Sequence, residues 1–294
     1  MKQENFKCAD GAILQSYIYE AEDAKGTVQI AHGMQEYSKT YFKFAEYLKK
    51  QGYNVFLLDQ RGHGKSCKSI SELGKVSGDI FNQTVNDHLN ATEMLVERFD
   101  KPIYFIGHSY GSFIAQSYLQ KNKHAKKIIL LGSSYMKTPL IRFGKIMANL
   151  TVRFKGKDAP AKFIENNSFK RYKKHFKDAS WITSDEKKTK AFYGDVLNGT
   201  PFSAGFYKYM FSNQLKLYKN LKNVDKNLPI AIFSGANDPV GNFGKGAKKL
   251  FNVYDNFGLN VTIKIYPNMR HGILQEKERT KVYKDIIEFI GEEI

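Results

Sequence analysis

A chain of 294 residues, 42% hydrophobic and 14% aromatic, is long enough to bury a full core, which excludes a disordered protein. It has no apolar run near the ~20 residues that span a bilayer, and its two cysteines, Cys8 and Cys67, cannot make a disulfide framework or a metal site. A net charge of +17 favours polyanions or anionic surfaces. There is no zinc-finger spacing, RNA-recognition aromatic motif or basic helix-turn-helix, so no nucleic-acid partner is expected. The excess is uneven, since Met136 to Lys190 holds 15 Lys+Arg against 5 Asp+Glu, +10 of the +17. Residues Met1 to Asp10 carry charges where a secretory signal needs its apolar stretch, and the expectation is a soluble, cytoplasmic protein with reduced thiols.

In chain order, Phe6–Cys8 and Ala12–Tyr19 read as a hairpin turning at Asp10-Gly11. Strands are expected at Thr27–Ala31, Asn54–Asp59, Pro102–Ile106 and Lys127–Leu131. Helical patterns fall between them at Tyr41–Lys50, Phe81–Arg98 and Ser112–Lys121. The alternation then stops from about Tyr135 to Pro201. There Leu140, Phe143, Met147, Leu150 and Phe154 recur at helical spacing beside Arg142, Lys145 and Arg153, a stripe expected to pack as core and, in a cap, to serve as a ligand wall as well. It resumes with strand Ile230–Ser234, helix Lys245–Asn256, strand Val261–Tyr266 and helix Glu276–Ile290. Continuous apolar strands alternating with helices argue an α/β fold, a doubly wound and mostly parallel sheet covered on both faces. The expected organisation is a core of 1–134 and 202–294 with 135–201 inserted as a helical cap over the sheet's C-terminal edge.

Gly107-His108-Ser109-Tyr110-Gly111 lies between an expected strand and an expected helix, the context of a nucleophile elbow. A serine hydroxyl needs a base, and the base needs a group to hold it. In this order of elements the three should read Ser, then Asp or Glu, then His, each at the carboxyl end of a strand. Asp238 follows Ile230–Ser234 through Gly235-Ala236-Asn237, and His271 follows Val261–Tyr266 through Pro267-Asn268-Met269-Arg270. His32 and His63 lie upstream in glycine turns, His108 is inside the elbow, and His88, His124 and His175 read as solvated residues on helices or in the cap. For the oxyanion, the N–H of Tyr110 follows the nucleophile, and the N–H of Met34 lies in the loop after Thr27–Ala31. This chemistry needs no metal and no cofactor.

Four segments carry a resemblance to a known family. They are His32-Gly33-Met34-Gln35-Glu36-Tyr37-Ser38 through Tyr41, Asp59-Gln60-Arg61-Gly62-His63-Gly64-Lys65-Ser66, Gly107–Gly111, and Gly235-Ala236-Asn237-Asp238-Pro239-Val240 with His271. Together they resemble the α/β-hydrolases of the monoacylglycerol lipase and lysophospholipase type. Asp195-Val196-Leu197 resembles that family's Asp-Pro-Leu segment, with Val196 in place of proline. The resemblance implies a capped α/β-hydrolase whose Ser109, His271 and Asp238 hydrolyse a lysophospholipid or monoacylglycerol through an acyl-enzyme. Phe143, Met147 and Leu150 of the cap stripe would then line an acyl pocket, and the basic cap would meet anionic headgroups or a membrane surface. A short-chain carboxylesterase is the enzymatic alternative, and a non-catalytic hydrolase-fold protein that binds a lipid or a partner is the alternative from another class.

Overall fold

The computed structural model describes residues 1–176 and 180–292; residues 177–179 of the expected cap and 293–294 of the expected core lie outside the described residues. Eight strands form one sheet: β1 (Lys2–Lys7), β2 (Ile13–Tyr19), β3 (Gly26–Ala31), β4 (Tyr53–Leu58), β5 (Ile103–His108), β6 (Ala125–Leu131), β7 (Ile230–Gly235) and β8 (Val261–Tyr266). Their order is β1-β2-β4-β3-β5-β6-β7-β8. The β1–β2 hairpin joins β4 antiparallel, and every later pairing is parallel. The expected doubly wound, mostly parallel α/β sheet is therefore present.

The continuous apolar runs exist because this sheet is covered twice. Phe105, Ile128, Leu130 and Ile232 face α2 (Ile80–Phe99), α3 (Tyr110–Tyr118) and α8 (Lys245–Asn256). Their strand neighbours Ile106, Ile129, Leu131 and Phe233 face α1 (Phe42–Lys50) and α9 (Arg279–Gly291). Successive side chains alternate between faces, so a strand with two apolar neighbours must be apolar throughout. The edge strand β8 alternates in exposure instead.

Between β6 and β7 lie α4 (Pro139–Lys155), α5 (Lys162–Lys173), α6 (Glu186–Gly194) and α7 (Ala204–Gln214). No helix is expected from the sequence at α7, although Phe206, Tyr207, Met210, Phe211 and Gln214 recur at helical spacing and share one buried face of it. Helix α4 carries a correction. Its expected core stripe is not buried: Leu140, Phe143, Leu150 and Phe154 are exposed, Leu140 and Phe143 at the rim of a cavity, and Ala148 is the buried residue of the helix. Small residues make the contact: the Phe211 ring lies against Gly144, which allows α4 to approach α7 closely.

His88 is a second correction. It is fully buried on α2, where Gln29 Nε2 lies 3.1 Å from its Nδ1 and donates to its backbone oxygen at 2.9 Å. The helix face that carries it turns toward the sheet, and Gln29 supplies the polar partner that burial demands.

Candidate active site

Strand β5 ends at His108 and α3 begins at Tyr110, so the whole turn is made at Ser109. Its backbone sits at φ 52°, ψ −116°, a conformation costly for any residue with a Cβ. Neighbouring glycines make the turn fit. A Cβ on Gly107 would meet the carbonyl of Gly111, and one on Gly111 would meet the carbonyl of Ala31. The tight packing holds the strained serine at the end of the sheet, half-exposed, with its N–H donated to Leu131 O at 2.9 Å.

The loops after β7 and β8 bring Asp238 and His271 to the same end. Asp238 is fully buried, and its Oδ1 accepts the Val240 N–H at 2.8 Å. His271 Nδ1 lies 3.0 Å from Asp238 Oδ1, and its Nε2 lies 2.7 Å from Ser109 Oγ. One imidazole therefore links carboxylate to hydroxyl, with both ends at hydrogen-bond distance. That arrangement can draw a proton from the serine while the carboxylate fixes the ring and favours its cation.

Met34 and Tyr110 border the cavity into which Ser109 opens. Among the described residues neither backbone N–H has an acceptor. The loop that carries Met34 is held from behind. Glu36 Oε1 accepts the Gly33 N–H at 2.7 Å and the Tyr41 hydroxyl at 2.5 Å. His108 Nδ1 lies 2.6 Å from that hydroxyl and 3.3 Å from the carboxylate, and its Nε2 faces His271 O at 3.2 Å. Acceptors at both ring nitrogens favour the imidazolium form of His108. Burial alone would lower its pKa, but the Glu36 bond and charge raise it. Burial alone would raise Glu36, and His108 and Tyr41 hold it well below the usual carboxylate range. The elbow histidine is thus half of a buried ion pair that ties the Met34 loop to the His271 loop. The sequence reading quoted Glu36 and Tyr41 within a motif and gave them no role.

The other glycine motif is structural. Asp59 accepts the Ser38 and Lys65 N–H groups, at 2.9 and 2.8 Å, and Arg61 grips both oxygens of Asp87 on α2. His32 is buried and neutral, because burial and the nearby His63 lower its pKa. Burial pushes both cysteine thiols up to about 12, so neither supplies a thiolate nucleophile near neutral pH. Among the described residues no group of three His, Cys, Asp or Glu could hold a metal ion.

Ser109 opens into a cavity of about 380 Å³ walled largely by apolar side chains, including Phe113, Met136, Phe163, Trp181 and Phe211. Phe143 and Met147 line it as expected from the stripe. Leu150 does not: it is 43% exposed and absent from the lining. The stripe runs on past the cavity, since each turn of helix advances about 5.4 Å and Leu150 stands one turn beyond Met147.

A family model described as serine aminopeptidase, S33, matches residues 22–278. The chain belongs to the S33 family. This S33 hydrolase is 28% identical to the monoglyceride lipase of Saccharomyces cerevisiae, over 97% of the chain and 90% of the relative. It is 22% identical to the monoacylglycerol lipase of Mycolicibacterium smegmatis, over 91% of the chain and 89% of the relative. A crystal structure of a thermostable carboxyl esterase from Bacillus coagulans superposes with a TM-score of 0.89 at 25% identity, covering 99% of this chain and 97% of that one. The S33 hydrolase is thus an α/β-hydrolase of the monoglyceride lipase type and a serine ester hydrolase. No helix among its described residues is long and apolar enough to cross a membrane.

Proposed function

We propose that this hydrolase cleaves the ester of a monoacylglycerol or lysophospholipid through Ser109, His271 and Asp238. The observation that carries the reading is the Asp238–His271–Ser109 hydrogen-bonded chain opening directly into an apolar cavity. Ser109 Oγ attacks the ester carbonyl as His271 Nε2 takes its proton. Asp238 holds the other ring nitrogen and stabilises the imidazolium, and the N–H groups of Met34 and Tyr110 receive the oxyanion. Collapse expels the alcohol, which takes the proton back from His271. Water, deprotonated by the same ring, then releases the fatty acid from Ser109.

A cavity of about 380 Å³ falls within the roughly 300–1,000 Å³ of small-molecule sites, and its apolar walls suit an acyl chain. In this reading residues 135–201 act as a cap, with Phe143 and Met147 against the acyl chain. The relatives named for monoglycerides support that substrate class over a peptide. The outward Ile146 and Phe154 of α4, interleaved with Arg142, Lys145 and Arg153, suit peripheral contact with an anionic membrane surface. The reading includes a cytoplasmic setting, which the free thiols of Cys8 and Cys67 support.

Hydrolysis of a p-nitrophenyl ester series from acetate to palmitate, with Ser109→Ala in parallel, tests this. A rate peaking at medium or long chains and lost in the variant is expected. A peak at acetate or butyrate would make it a short-chain carboxylesterase. Equal rates for variant and wild type would overturn the serine mechanism.

A further inference from the structure

A second cavity, of about 410 Å³, lies between α1 and α6. Phe192 lines both cavities, and Trp181 of the first is followed in the chain by Ile182 of the second. Glu36 also lines the second cavity, and Gly33 separates it from the serine: a Cβ there would lie 2.5 Å from Glu36 Oε1 and 3.3 Å from Ser109 Cβ. The two cavities therefore flank the catalytic turn, one apolar and one charged.

Four lysines line this second space: Lys39, Lys43, Lys187 and Lys188. Lys39 is neutralised by Asp195 at 2.8 Å, and Glu36 is committed to His108. Among the described residues Lys43, Lys187 and Lys188 have no carboxylate partner. Lys187 and Lys188 stand in the first turn of α6, where the helix N-terminus already presents partial positive charge and disfavours a cation. Lys188 is half-buried, and burial together with Lys43 and Arg279 lowers its pKa against the opposing pull of Asp185. Asn198 also lines the cavity, and its buried side-chain oxygen has no partner there; a half-turn of the amide presents two N–H donors instead. Like charges are brought together against their own repulsion and against a helix dipole that Asp185 and Glu186 offset only in part. A bound anion relieves both penalties.

We propose that this cavity is an anion subsite that receives a phosphate on the alcohol side of the ester, with Lys43 and Lys188 as its main contacts. The acyl chain lies in the apolar cavity, the ester carbonyl sits at Ser109, and the phosphorylated headgroup crosses the Phe192 wall into the lysine-lined space. The inference rests on the ester hydrolysis proposed above and narrows it to anionic lysophospholipids. A free phosphate offers the same oxygens, so the test separates the two sources.

The measurement is the ratio of kcat/KM for 1-oleoylglycerol 3-phosphate to that for 1-oleoylglycerol, both dispersed in one neutral detergent. In Lys43→Ala/Lys188→Ala the ratio should fall at least tenfold, and in Lys43→Arg/Lys188→Arg it should recover. An unchanged ratio overturns the headgroup subsite. Trp181 is the single tryptophan and lies beside the shared wall, so its fluorescence is titrated with inorganic phosphate in parallel. A lowered ratio with a flat phosphate titration assigns the site to the lipid headgroup. A saturable titration, lost in the double alanine variant, with an unchanged ratio assigns it to free phosphate and refutes the lipid role. If neither lipid is cleaved and a fluorophosphonate leaves Ser109 unlabelled, the ester reading fails by itself. The phosphate titration then decides the anion site, and a flat one removes it.

Discussion

Glu36→Gln removes the negative half of the buried pair beneath the Met34 loop without changing its shape. The wild-type carboxylate serves the Gly33 N–H, the Tyr41 hydroxyl and the His108 imidazolium. With the amide oxygen standing where Oε1 stands, the Gly33 N–H and the Tyr41 hydroxyl keep their acceptor and His108 Nδ1 keeps the Tyr41 oxygen, now with no negative charge beside them. Every group keeps a partner, so the loss is far below the 3–5 kcal/mol of breaking a buried pair. What disappears is charge assistance in about two hydrogen bonds, each about 1 kcal/mol stronger than its neutral counterpart, hence about 2 kcal/mol. The pH dependence has a definite sign. Glu36 is depressed in the folded state, so its contribution is present above its unfolded value of 4.5 and is lost as pH falls through the lower folded value. His108 is raised, so its contribution is present below its unfolded value of 6.5 and is lost as pH rises through the higher folded value. The gap between wild type and variant should be widest between those two unfolded values, near pH 5.5. With an m-value of about 3 kcal/mol/M, urea midpoints should then differ by roughly 0.7 M. Coincident midpoints at pH 5.5, or a gap that widens toward pH 3, would refute the ion pair.

Asp238→Asn should leave the fold intact and lower kcat roughly 10⁴-fold on any ester, because an amide imposes the wrong imidazole tautomer; steady-state kinetics beside an unchanged circular dichroism spectrum checks it. Phe143 and Leu150 stand one above the other on α4, yet only the first lines the cavity at Ser109, so Phe143→Asp and Leu150→Asp separate the two positions. On a p-nitrophenyl decanoate substrate the first should raise KM at least tenfold, and the second should leave it within twofold. Gly111→Ala places a methyl against the carbonyls of Ala31 and His32, which no rotamer can avoid. It should cost more than about 3 kcal/mol, read as a sharp drop in thermal midpoint or in soluble yield.

The central strands were legible because two apolar faces leave no room for polar residues along them, as in Ile128-Ile129-Leu130-Leu131. Ser109, Asp238 and His271 were legible because a strand must precede each, and the structure brings those three side chains into one hydrogen-bonded line. What stayed hidden depended on partners distant in the chain. His88 read as a solvated helix residue until Gln29, 59 positions earlier, was seen against it. His108 and Glu36 are 72 positions apart, so their pairing leaves no local pattern. Large apolar residues on α4 pointed to the wrong packing face, because the contact is made by Gly144, whose contribution is the absence of a side chain. The second cavity is assembled from α1 and α6, and its lysines read in sequence as part of a general basic excess.

Residues 180–184 are stitched to the loop that carries His271. The Gly272 N–H reaches Ile182 O at 2.7 Å, Glu276 takes both the N–H and the hydroxyl of Ser184, and an Arg270 guanidinium nitrogen donates to Ser180 O. The loop of His271 and residues 180–184 thus share a seam. For an engineer this rules out treating 135–201 as an interchangeable cassette. A graft that alters chain length or acidity around Ser180 to Ser184 would change substrate preference and also shift the imidazole, so selectivity and turnover would move together. The portion free to be rewritten lies at the far end, along α4 beyond Met147, where Leu150 and Phe154 are exposed and lie outside the cavity lining.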